Sequence, residues 1–283
     1  FSDDGHCVSD SQLMRRALEY VKAFNGIIAQ HAQDPQLTKD AQMNEGELSA
    51  TLGLRGWPAV AEESIIARDV LLAEHVDSRY HVLHLTTARG AEIVKEAKAR
   101  GVKVTAEVTP HHLLLTEDLI KGYDPIYKVN PPLRTATDVI ALQDALASGV
   151  IDSVGTDHAP HTEEHKDCEW DQAAFGMLGL QTALSVLVKT MIETNKMSWR
   201  QLADRMSVKP AHIAGLTDQG QEIDIDAPAN LTFIDPNSNW IVTKDLIASK
   251  SFNTPYEGME LPATVKHTIF KGSFSVRDGK VQK

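Results

Sequence analysis

Short apolar runs alternate with longer amphipathic stretches over the first half of the chain. The runs are bounded by polar or turn residues, which is typical of buried strands, and they lie at 27–31, 81–85, 102–108 and 150–154. Apolar residues at helical spacing predict helices between them, over 59–75, 88–100 and 135–148. Strand and helix therefore alternate from residue 27 to residue 157, and this order predicts the βαβ pattern of a parallel sheet.

The rest of the chain has a different pattern. A polar loop over 161–173 precedes two predicted helices, over 177–195 and 198–208. Short strands separated by turn residues follow, at 231–234, 240–243, 265–270 and 274–277. We therefore predict an α/β domain over residues 1–219 and a small β module over residues 220–283.

Residues 34–58 connect the first strand to the following helix. They are polar and contain several Gly and Pro residues, so we predict an irregular connection. A connection of this length in a compact domain is more often functional than idle.

Composition narrows the class of protein. The 283 residues are enough for a barrel of about 250 residues or for two smaller domains. The formal net charge of −11 argues against a nucleic-acid partner or an anionic membrane surface. The chain contains no run of 18 apolar residues, so we predict no membrane span. Cys7 and Cys168 form no disulfide framework, which favours a cytoplasmic location. The chain opens on Phe1 without an initiator Met, and we expect that the start of the natural protein lies outside it.

Four acidic or imidazole side chains follow predicted strands. Asp157 ends the strand that leads into Gly155–His161, and His31, His84 and Asp4 stand at or just after other strand ends. The carboxyl ends of parallel barrel strands open on one face. Nitrogen and oxygen ligands of this kind suit Zn²⁺ at about 2.0–2.2 Å. A carboxylate shared by two ions about 3.5–4 Å apart would make a two-metal hydrolytic site. The alternatives are an Asp that caps a helix and His residues with structural hydrogen bonds.

Two further pairs of His leave their roles open. His81 and His84 flank the same predicted strand, and because side chains alternate across a strand we expect only one of them to face a shared site. His111 and His112 follow the strand that ends at Val108. They are candidates for metal ligands, and a structural role beside the Pro110 turn is an equal alternative.

Several segments, in order, resemble bacterial dihydroorotases of the amidohydrolase superfamily over nearly the whole chain. The matching segments are FSDDG at Phe1–Gly5, HVLHLTT at His81–Thr87, VTAEVTPHHLLL at Val104–Leu115, KVNPPLR at Lys128–Arg134 and GTDHAPH at Gly155–His161. The resemblance implies a (β/α)8 TIM-like barrel of the metal-dependent hydrolase type with a small C-terminal β-sandwich module over residues 220–283.

The resemblance also implies roles for individual residues. Asp4 matches a carboxylate that bridges two zinc ions, and His31 and His84 match ligands of the second zinc. Asp157 matches both a ligand of the first zinc and the catalytic residue that shuttles the proton. Substrate-binding positions are matched by Asn130 and His161, which hold the pyrimidine ring and its carboxylate, and by Phe175 and Gly176, whose backbone contacts the ring.

The reaction implied by this resemblance is the reversible conversion of L-dihydroorotate and water to N-carbamoyl-L-aspartate, a step of de novo UMP synthesis. The implied cofactor is Zn²⁺, two ions per active site in the complete protein. The implied partner is a small-molecule substrate, with no nucleic acid and no membrane. A homodimer and an association with aspartate carbamoyltransferase are both left open.

One departure from the family pattern affects the first zinc site, whose ligands include two His of the motif named next. The first strand of the family carries a His-x-His-x-Arg motif, which is absent from residues 1–283. By position, about three strands of an eight-stranded barrel precede Asp4. Two other readings stay open: a hydantoinase- or allantoinase-like cyclic amidase, and an inactive scaffold partner of aspartate carbamoyltransferase.

Overall fold

The computed structural model describes residues 1–282, which form two compact units. One unit comprises Phe1–Leu180 with Lys250–Pro255, and the other comprises 181–249 with 256–282. The predicted boundary between residues 219 and 220 stays a prediction. No helix within residues 1–282 is long and apolar enough to cross a lipid bilayer.

A four-stranded parallel sheet organises the first unit. The strands of this unit are β1 (Ile27–Gln30), β2 (Met43–Asn44), β3 (Gly56–Trp57), β4 (Arg79–Val82), β5 (Val104–Val108) and β6 (Ser153–Val154). The order in the sheet is β1-β4-β5-β6, which confirms the predicted alternation. The last residues of the sheet strands lie side by side in register, Gln30 beside Val82 and Val108 beside Val154. The residues that follow the strands therefore emerge along one edge.

Helices precede, connect and follow these strands. They are α1 (Ser11–Lys22), α2 (Glu47–Leu52), α3 (Val60–Val76), α4 (Ala88–Ala99), α5 (Ala136–Ser148) and α6 (Glu163–Lys166), with 3-10 helices at His111–Leu113, Glu117–Gly122 and Pro125–Tyr127. Thr87 and Thr135 each accept a hydrogen bond from a backbone N–H of the first turn, and so cap α4 and α5. Apolar side chains such as Ile66, Val94 and Leu142 are fully buried, and they pack the helices against the sheet.

The prediction that residues 34–58 are irregular is wrong in part. This connection contains α2 and a two-stranded parallel sheet of β2 and β3. Gly53 adopts a φ of +69° and ends α2, so the chain turns back towards β3. The density of Gly and Pro residues indicated only loops, whereas Gly53 is here the stop signal of a short helix.

Short helices and an antiparallel sheet make up the second unit. Its helical elements are α7 (Ala183–Leu187), a π-helical turn at Val188–Ile192, α8 (Trp199–Ala203), a π-helical turn at Asp204–Val208, α9 (Lys209–Ala214) and a 3-10 helix at Lys244–Leu246. The predicted helix start at residue 177 is wrong, because Met177 pairs with His158 and the Leu178 N–H donates to the Asn253 carbonyl. These bonds hold the backbone outside a helix up to that point.

The antiparallel sheet of this unit has the order β10-β9-β8-β7. Its strands are β7 (Leu231–Ile241), β8 (Glu260–Phe270), β9 (Ser273–Arg277) and β10 (Lys280–Val281). The two strands predicted at 231–234 and 240–243 are one strand, interrupted by register shifts after Phe233 and Asp235. A second layer that would make this module a sandwich stays a prediction.

Candidate functional site

Asp4, His31 and His84 meet at the carboxyl edge of the parallel sheet. Phe1 lies along β1, since its ammonium donates to Ile27 O at 2.9 Å and its carbonyl accepts from Ala29 N at 2.9 Å. Three residues later, Asp4 lies beside His31, which directly follows β1. His84 comes two residues after β4. Within residues 1–282 these three side chains form a candidate metal-binding group, with ligand atoms all within 4.8 Å of one another.

The ligand atoms of this group are spaced as a tetrahedral metal ion requires. His31 Nδ1 lies 3.0 Å from His84 Nε2, and Asp4 Oδ1 lies 3.2 Å from His84 Nε2 and 3.6 Å from His31 Nδ1. Ligands at about 2.0–2.2 Å from a tetrahedral ion are separated by about 3.4 Å. The three observed separations surround this value, so the donor set fits a metal ion.

Charge complementarity holds the group together. The imidazoles of His31 and His84, which lie against its carboxylate, keep the pKa of Asp4 well below its usual value, although partial burial opposes them. Burial lowers the pKa of His84, but its hydrogen bond to Asp4 and the charges of Asp157 and Asp4 outweigh burial and raise the pKa overall. An anionic carboxylate therefore faces two imidazoles.

The charges of Asp4, His31 and His84 act on Asp157, which is not itself a member of the candidate metal-binding group. Burial raises its pKa, and the carboxylates of Asp4 and Glu107 add to this rise, while the imidazoles of His84 and His31 oppose it. A carboxyl group with a raised pKa is suited to accepting and releasing a proton. Gly155, two residues before Asp157, leaves room for the Glu107 carboxylate, since a Cβ there would lie 2.3 Å from Glu107 Oε1.

Two of these residues have unusual backbone conformations. His84 has a φ of +31° and Asp157 has a φ of +44°. Positive φ values are uncommon for residues other than Gly and cluster at functional sites. Both residues lie in the segments that follow strand ends, His84 after β4 and Asp157 after β6.

His81 and His84 separate as the alternation of side chains predicted. His81 Nδ1 lies 2.7 Å from Thr105 Oγ1 and its Nε2 lies 3.3 Å from Glu107 Oε2. His84 alone of the two contacts Asp4 and His31. The prediction that only one of them faces the shared site is confirmed.

His111 and His112 stand apart from the candidate metal group. His112 is satisfied by Thr109 Oγ1 at 2.7 Å and by the Pro131 carbonyl at 3.1 Å. Burial lowers the pKa of both side chains, that of His111 to about 3. The hydrogen bonds of His112 fit the structural alternative, whereas neither ring nitrogen of His111 has a hydrogen-bond partner within residues 1–282.

The candidate substrate-binding residues form a second set of contacts. His161 Nε2 lies 2.8 Å from the Phe175 carbonyl. The Gly176 N–H donates to the Lys128 carbonyl at 2.9 Å, two residues before Asn130. Gly176 has a φ of +131°, and a Cβ there would lie 2.6 Å from Ala159 Cβ, so only Gly fits. Asn130 Nδ2 donates to Gln33 Oε1 at 3.3 Å.

Asn253 joins these residues and was missed by the sequence analysis. Its Oδ1 accepts from His161 N at 3.1 Å, while its Nδ2 donates to Ala159 O at 2.8 Å and Gly176 O at 3.3 Å. Asn253 lies 92 residues beyond His161 in a segment without a motif, and no local pattern indicates that it returns to the first unit.

Two buried lysines anchor the loop over 161–173. Lys166 Nζ donates to Lys128 O at 3.1 Å and to Ala174 O at 3.0 Å. Lys128 Nζ donates to Trp170 O at 2.7 Å and lies 4.6 Å from the centre of the Phe175 ring. Burial, and then the charge of Lys128, lower the pKa of Lys166 to about 8. The loop is thereby tied to the segments that carry Asn130 and Phe175.

Comparison with known proteins places this geometry in context. The sequence profile of the amidohydrolase family matches residues 7–274. The chain is 62% identical to the dihydroorotase of Streptomyces coelicolor over 281 residues, which is 99% of this chain and 66% of the relative. It is 54% identical to the dihydroorotase of Mycobacterium tuberculosis over 282 residues, which is 100% of this chain and 66% of the relative. The chain thus spans just under two thirds of these relatives.

Solved structures of hydantoinases share the fold. A D-hydantoinase from Thermus sp. aligns with a TM-score of 0.84 at 25% identity, over 96% of this chain and 62% of that structure. An L-hydantoinase from Arthrobacter aurescens aligns with a TM-score of 0.85 at 25% identity, over 97% of this chain and 62% of that structure. This likeness confirms the predicted TIM-barrel-like fold with a C-terminal antiparallel sheet.

Proposed function

The chain belongs to the amidohydrolase family, and on this premise we propose that the protein is a dihydroorotase. It would convert L-dihydroorotate and water reversibly to N-carbamoyl-L-aspartate in de novo pyrimidine synthesis. The observation that carries the proposal is the 54–62% identity, over nearly the whole chain, to relatives named dihydroorotase. Because the chain spans just under two thirds of those relatives, the proposal concerns the activity of the protein as a whole.

The family is metal-dependent, and Asp4, His31 and His84 form a candidate metal-binding group. We propose that His31 and His84 would hold the second Zn²⁺ of the family pattern, that Asp157 would be a ligand of the first, and that the carboxylate of Asp4 would serve both. Bound zinc would supply hydroxide at neutral pH, because it lowers the pKa of its water to about 7, and would polarise the ring carbonyl.

Asp157 is the proposed catalytic residue. In the hydrolytic direction its carboxylate takes the proton of the attacking water and then delivers that proton to the ring nitrogen as the C–N bond breaks. A carboxylate at this position is suited to accepting a proton and returning it to a leaving nitrogen. In the synthetic direction the same carboxylate takes the proton from the carbamoyl nitrogen.

Asn130, His161, Phe175 and Gly176 are proposed to hold the substrate. Asn130 would bind a polar edge of the ring, and the Phe175–Gly176 backbone would contact it beside His161. The imidazole of His161 would bind the substrate carboxylate. The loop over 161–173, anchored by Lys166, would exclude water from the bound ring.

The first experiment is turnover of L-dihydroorotate by the purified protein before and after chelation, with the intact mass recorded on the same sample. Turnover that chelation abolishes and zinc restores supports the proposal. A folded, zinc-loaded, full-length protein without turnover contradicts it. The Asp157→Asn variant should lower kcat by about 10²–10⁴-fold, the usual contribution of a positioned acid–base group.

A hydantoinase-like cyclic amidase is the second candidate, because the structural likeness is to hydantoinases. The two functions differ at His161, since a neutral ring carries no carboxylate for it to bind. The His161→Ala variant should lose about 10- to 100-fold more kcat/KM on dihydroorotate than on a neutral dihydropyrimidine, as expected for one hydrogen bond to a charged group. Equal losses on both substrates would favour the second candidate.

The cellular context is also proposed. A cytoplasmic location agrees with the free thiols of Cys7 and Cys168. A homodimer and an assembly with aspartate carbamoyltransferase are tested by sedimentation of the protein alone and with that enzyme.

A further inference from the structure

The side-chain amide of Gln33 connects the two halves of the candidate site. Its Oε1 lies 2.5 Å from His31 Nε2, in the candidate metal group, and 3.3 Å from Asn130 Nδ2, among the candidate substrate-binding residues. Its Nε2 donates to Thr38 Oγ1 at 2.8 Å. One amide oxygen therefore serves two donors that belong to different parts of the site.

The orientation of this amide follows from its surroundings. The Thr38 hydroxyl donates its only proton to the Asp34 carbonyl at 2.9 Å. Thr38 Oγ1 can then only accept from Gln33, so the NH2 group of Gln33 must face Thr38. The carbonyl oxygen of Gln33 must consequently face His31 and Asn130. A backbone carbonyl, which can only accept, thus sets the polarity of the whole chain of hydrogen bonds.

This polarity decides the tautomer of His31. An oxygen acceptor at Nε2 requires a proton on that nitrogen, so in the neutral ring Nδ1 carries the lone pair. Nδ1 is the atom that lies 3.0 Å from His84 Nε2 and 3.6 Å from Asp4 Oδ1. His31 is buried, so water does not compete for these positions. The ring is therefore set with its lone pair towards the candidate metal position.

The same oxygen also sets the orientation of Asn130. Because Asn130 Nδ2 donates to Gln33, its Oδ1 must point the other way. That Oδ1 is buried and has no hydrogen-bond partner within residues 1–282. A buried amide oxygen without a partner needs a donor, and the N–H of a cyclic amide is such a donor.

We propose that Gln33 is a positioning residue that fixes the metal-binding tautomer of His31 and turns the carbonyl of Asn130 towards a substrate N–H. The part that concerns His31 depends only on the chain's own hydrogen bonds. The part that concerns Asn130 rests on the proposed function.

The test compares Gln33→Met with two other variants. Met is close to Gln in length but cannot accept the two hydrogen bonds, whereas Gln33→Glu keeps an acceptor oxygen. Gln36→Met is the matched control, because Gln36 is exposed in the same loop. The zinc dissociation constant is measured by competition with a chromophoric chelator. Gln33→Met should bind zinc about 10- to 100-fold more weakly, the usual effect of losing a hydrogen-bond partner of a metal ligand.

Gln33→Glu should bind zinc at least as tightly as the wild type, and Gln36→Met should equal the wild type. Nitrogen-15 NMR of the zinc-free protein provides a second readout. It should show His31 protonated at Nε2 in the wild type, and a shift towards protonation at Nδ1 in Gln33→Met. With zinc saturating, Gln33→Met should raise KM for dihydroorotate more than it lowers kcat, because Asn130 loses its fixed orientation.

Unchanged zinc affinity and an unchanged His31 tautomer in folded Gln33→Met would overturn the inference. If Gln33→Met does not fold, Thr38→Val replaces it, since the amide of Gln33 then loses its anchor; zinc binding equal to the wild type in Thr38→Val would also overturn the inference. Failure of the proposed function looks different. In that case the wild type does not turn over dihydroorotate, while the zinc affinity and tautomer still respond to Gln33→Met.

Discussion

Two pairs of buried histidines follow neighbouring strands of the same sheet, and they behave in opposite ways. His31 and His84 come after β1 and β4, with ring centres 4.8 Å apart and planes at 74°. His111 and His112 come after β5, with ring centres 4.5 Å apart and planes at 50°. All four side chains are almost completely buried. Neither burial nor the distance between the rings therefore separates the pair in the candidate metal group from the pair outside it.

The two histidine pairs differ in whether a carboxylate lies against them. Asp4 lies against His31 and His84, and together with Asp157 it raises the pKa of His84 in spite of burial. No carboxylate is among the groups that shift the pKa of His111 or His112, and burial lowers both values. A pair of buried imidazoles thus becomes able to hold a cation only where anionic oxygen faces it. Without that oxygen, burial keeps the rings neutral.

The largest expected effect is on metal binding. His84→Asn should weaken zinc binding by more than about 100-fold, beyond the roughly 10–100-fold loss that follows removal of a ligand's hydrogen-bond partner. Asn is chosen because position 84 has a φ of +31°, which Asn tolerates better than most residues. The matched variant His111→Asn should leave the zinc dissociation constant unchanged. An equal loss of zinc affinity in both variants in the same chelator competition would contradict the assignment of His84, and not His111, to the metal site.

The next effect is on acid stability. The pKa of His111 is about 3 in the folded chain and 6.5 as the reference value. Below pH 6.5 the unfolded chain binds a proton that the folded chain does not, so stability falls as the pH drops from about 6.5 towards 3. This term lowers the free energy of unfolding by about 2 kcal/mol between pH 7 and pH 5.

Urea unfolding of the zinc-free protein at these two pH values measures this term. The His111→Asn variant lacks the buried imidazole and should therefore lose about 2 kcal/mol less than the wild type on acidification. An equal loss in both proteins would mean that His111 is not held neutral by burial.

The smallest effect concerns the hydrogen bond of His112. Thr109→Val removes the hydroxyl that lies 2.7 Å from His112 Nδ1 and should lower the free energy of unfolding by about 1 kcal/mol, the usual net contribution of such a bond. Zinc affinity should not change, because His112 is outside the candidate metal group. Chemical unfolding and the chelator competition on the same preparation check both statements. A weaker zinc site in this variant would connect the two histidine pairs.

Much of the fold could be predicted because its signals are local. The strands before His31, His84 and Asp157 are apolar runs. Thr87 and Thr135 cap the predicted helices that begin at the next residue. The fold class followed from the order of these elements. The segment over 34–58 was harder, because its helix and its two short strands each contain too few residues to show a period.

The candidate site was predictable only where a motif carries it. Asp4, His31 and His84 stand at strand ends in the sequence, and the structure brings them together. Asn253 and Gln33 carry no such signal. Asn253 contacts His161, although the two residues are 92 positions apart in the chain. The role of Gln33 depends on its hydrogen bonds to the hydroxyl of Thr38 and the amide of Asn130.

The sequence by itself determined the order of strands and helices and the residues that follow each strand, because hydrophobic period and capping act over a few neighbouring residues. Only the tertiary structure decided which buried histidines face a carboxylate, which way the amide of Gln33 points and which side chains close around Gly176. These outcomes depend on contacts between residues far apart in the chain. Burial increases the energetic importance of these contacts. A charge or polar atom that is removed from water costs free energy unless the fold supplies a partner for it.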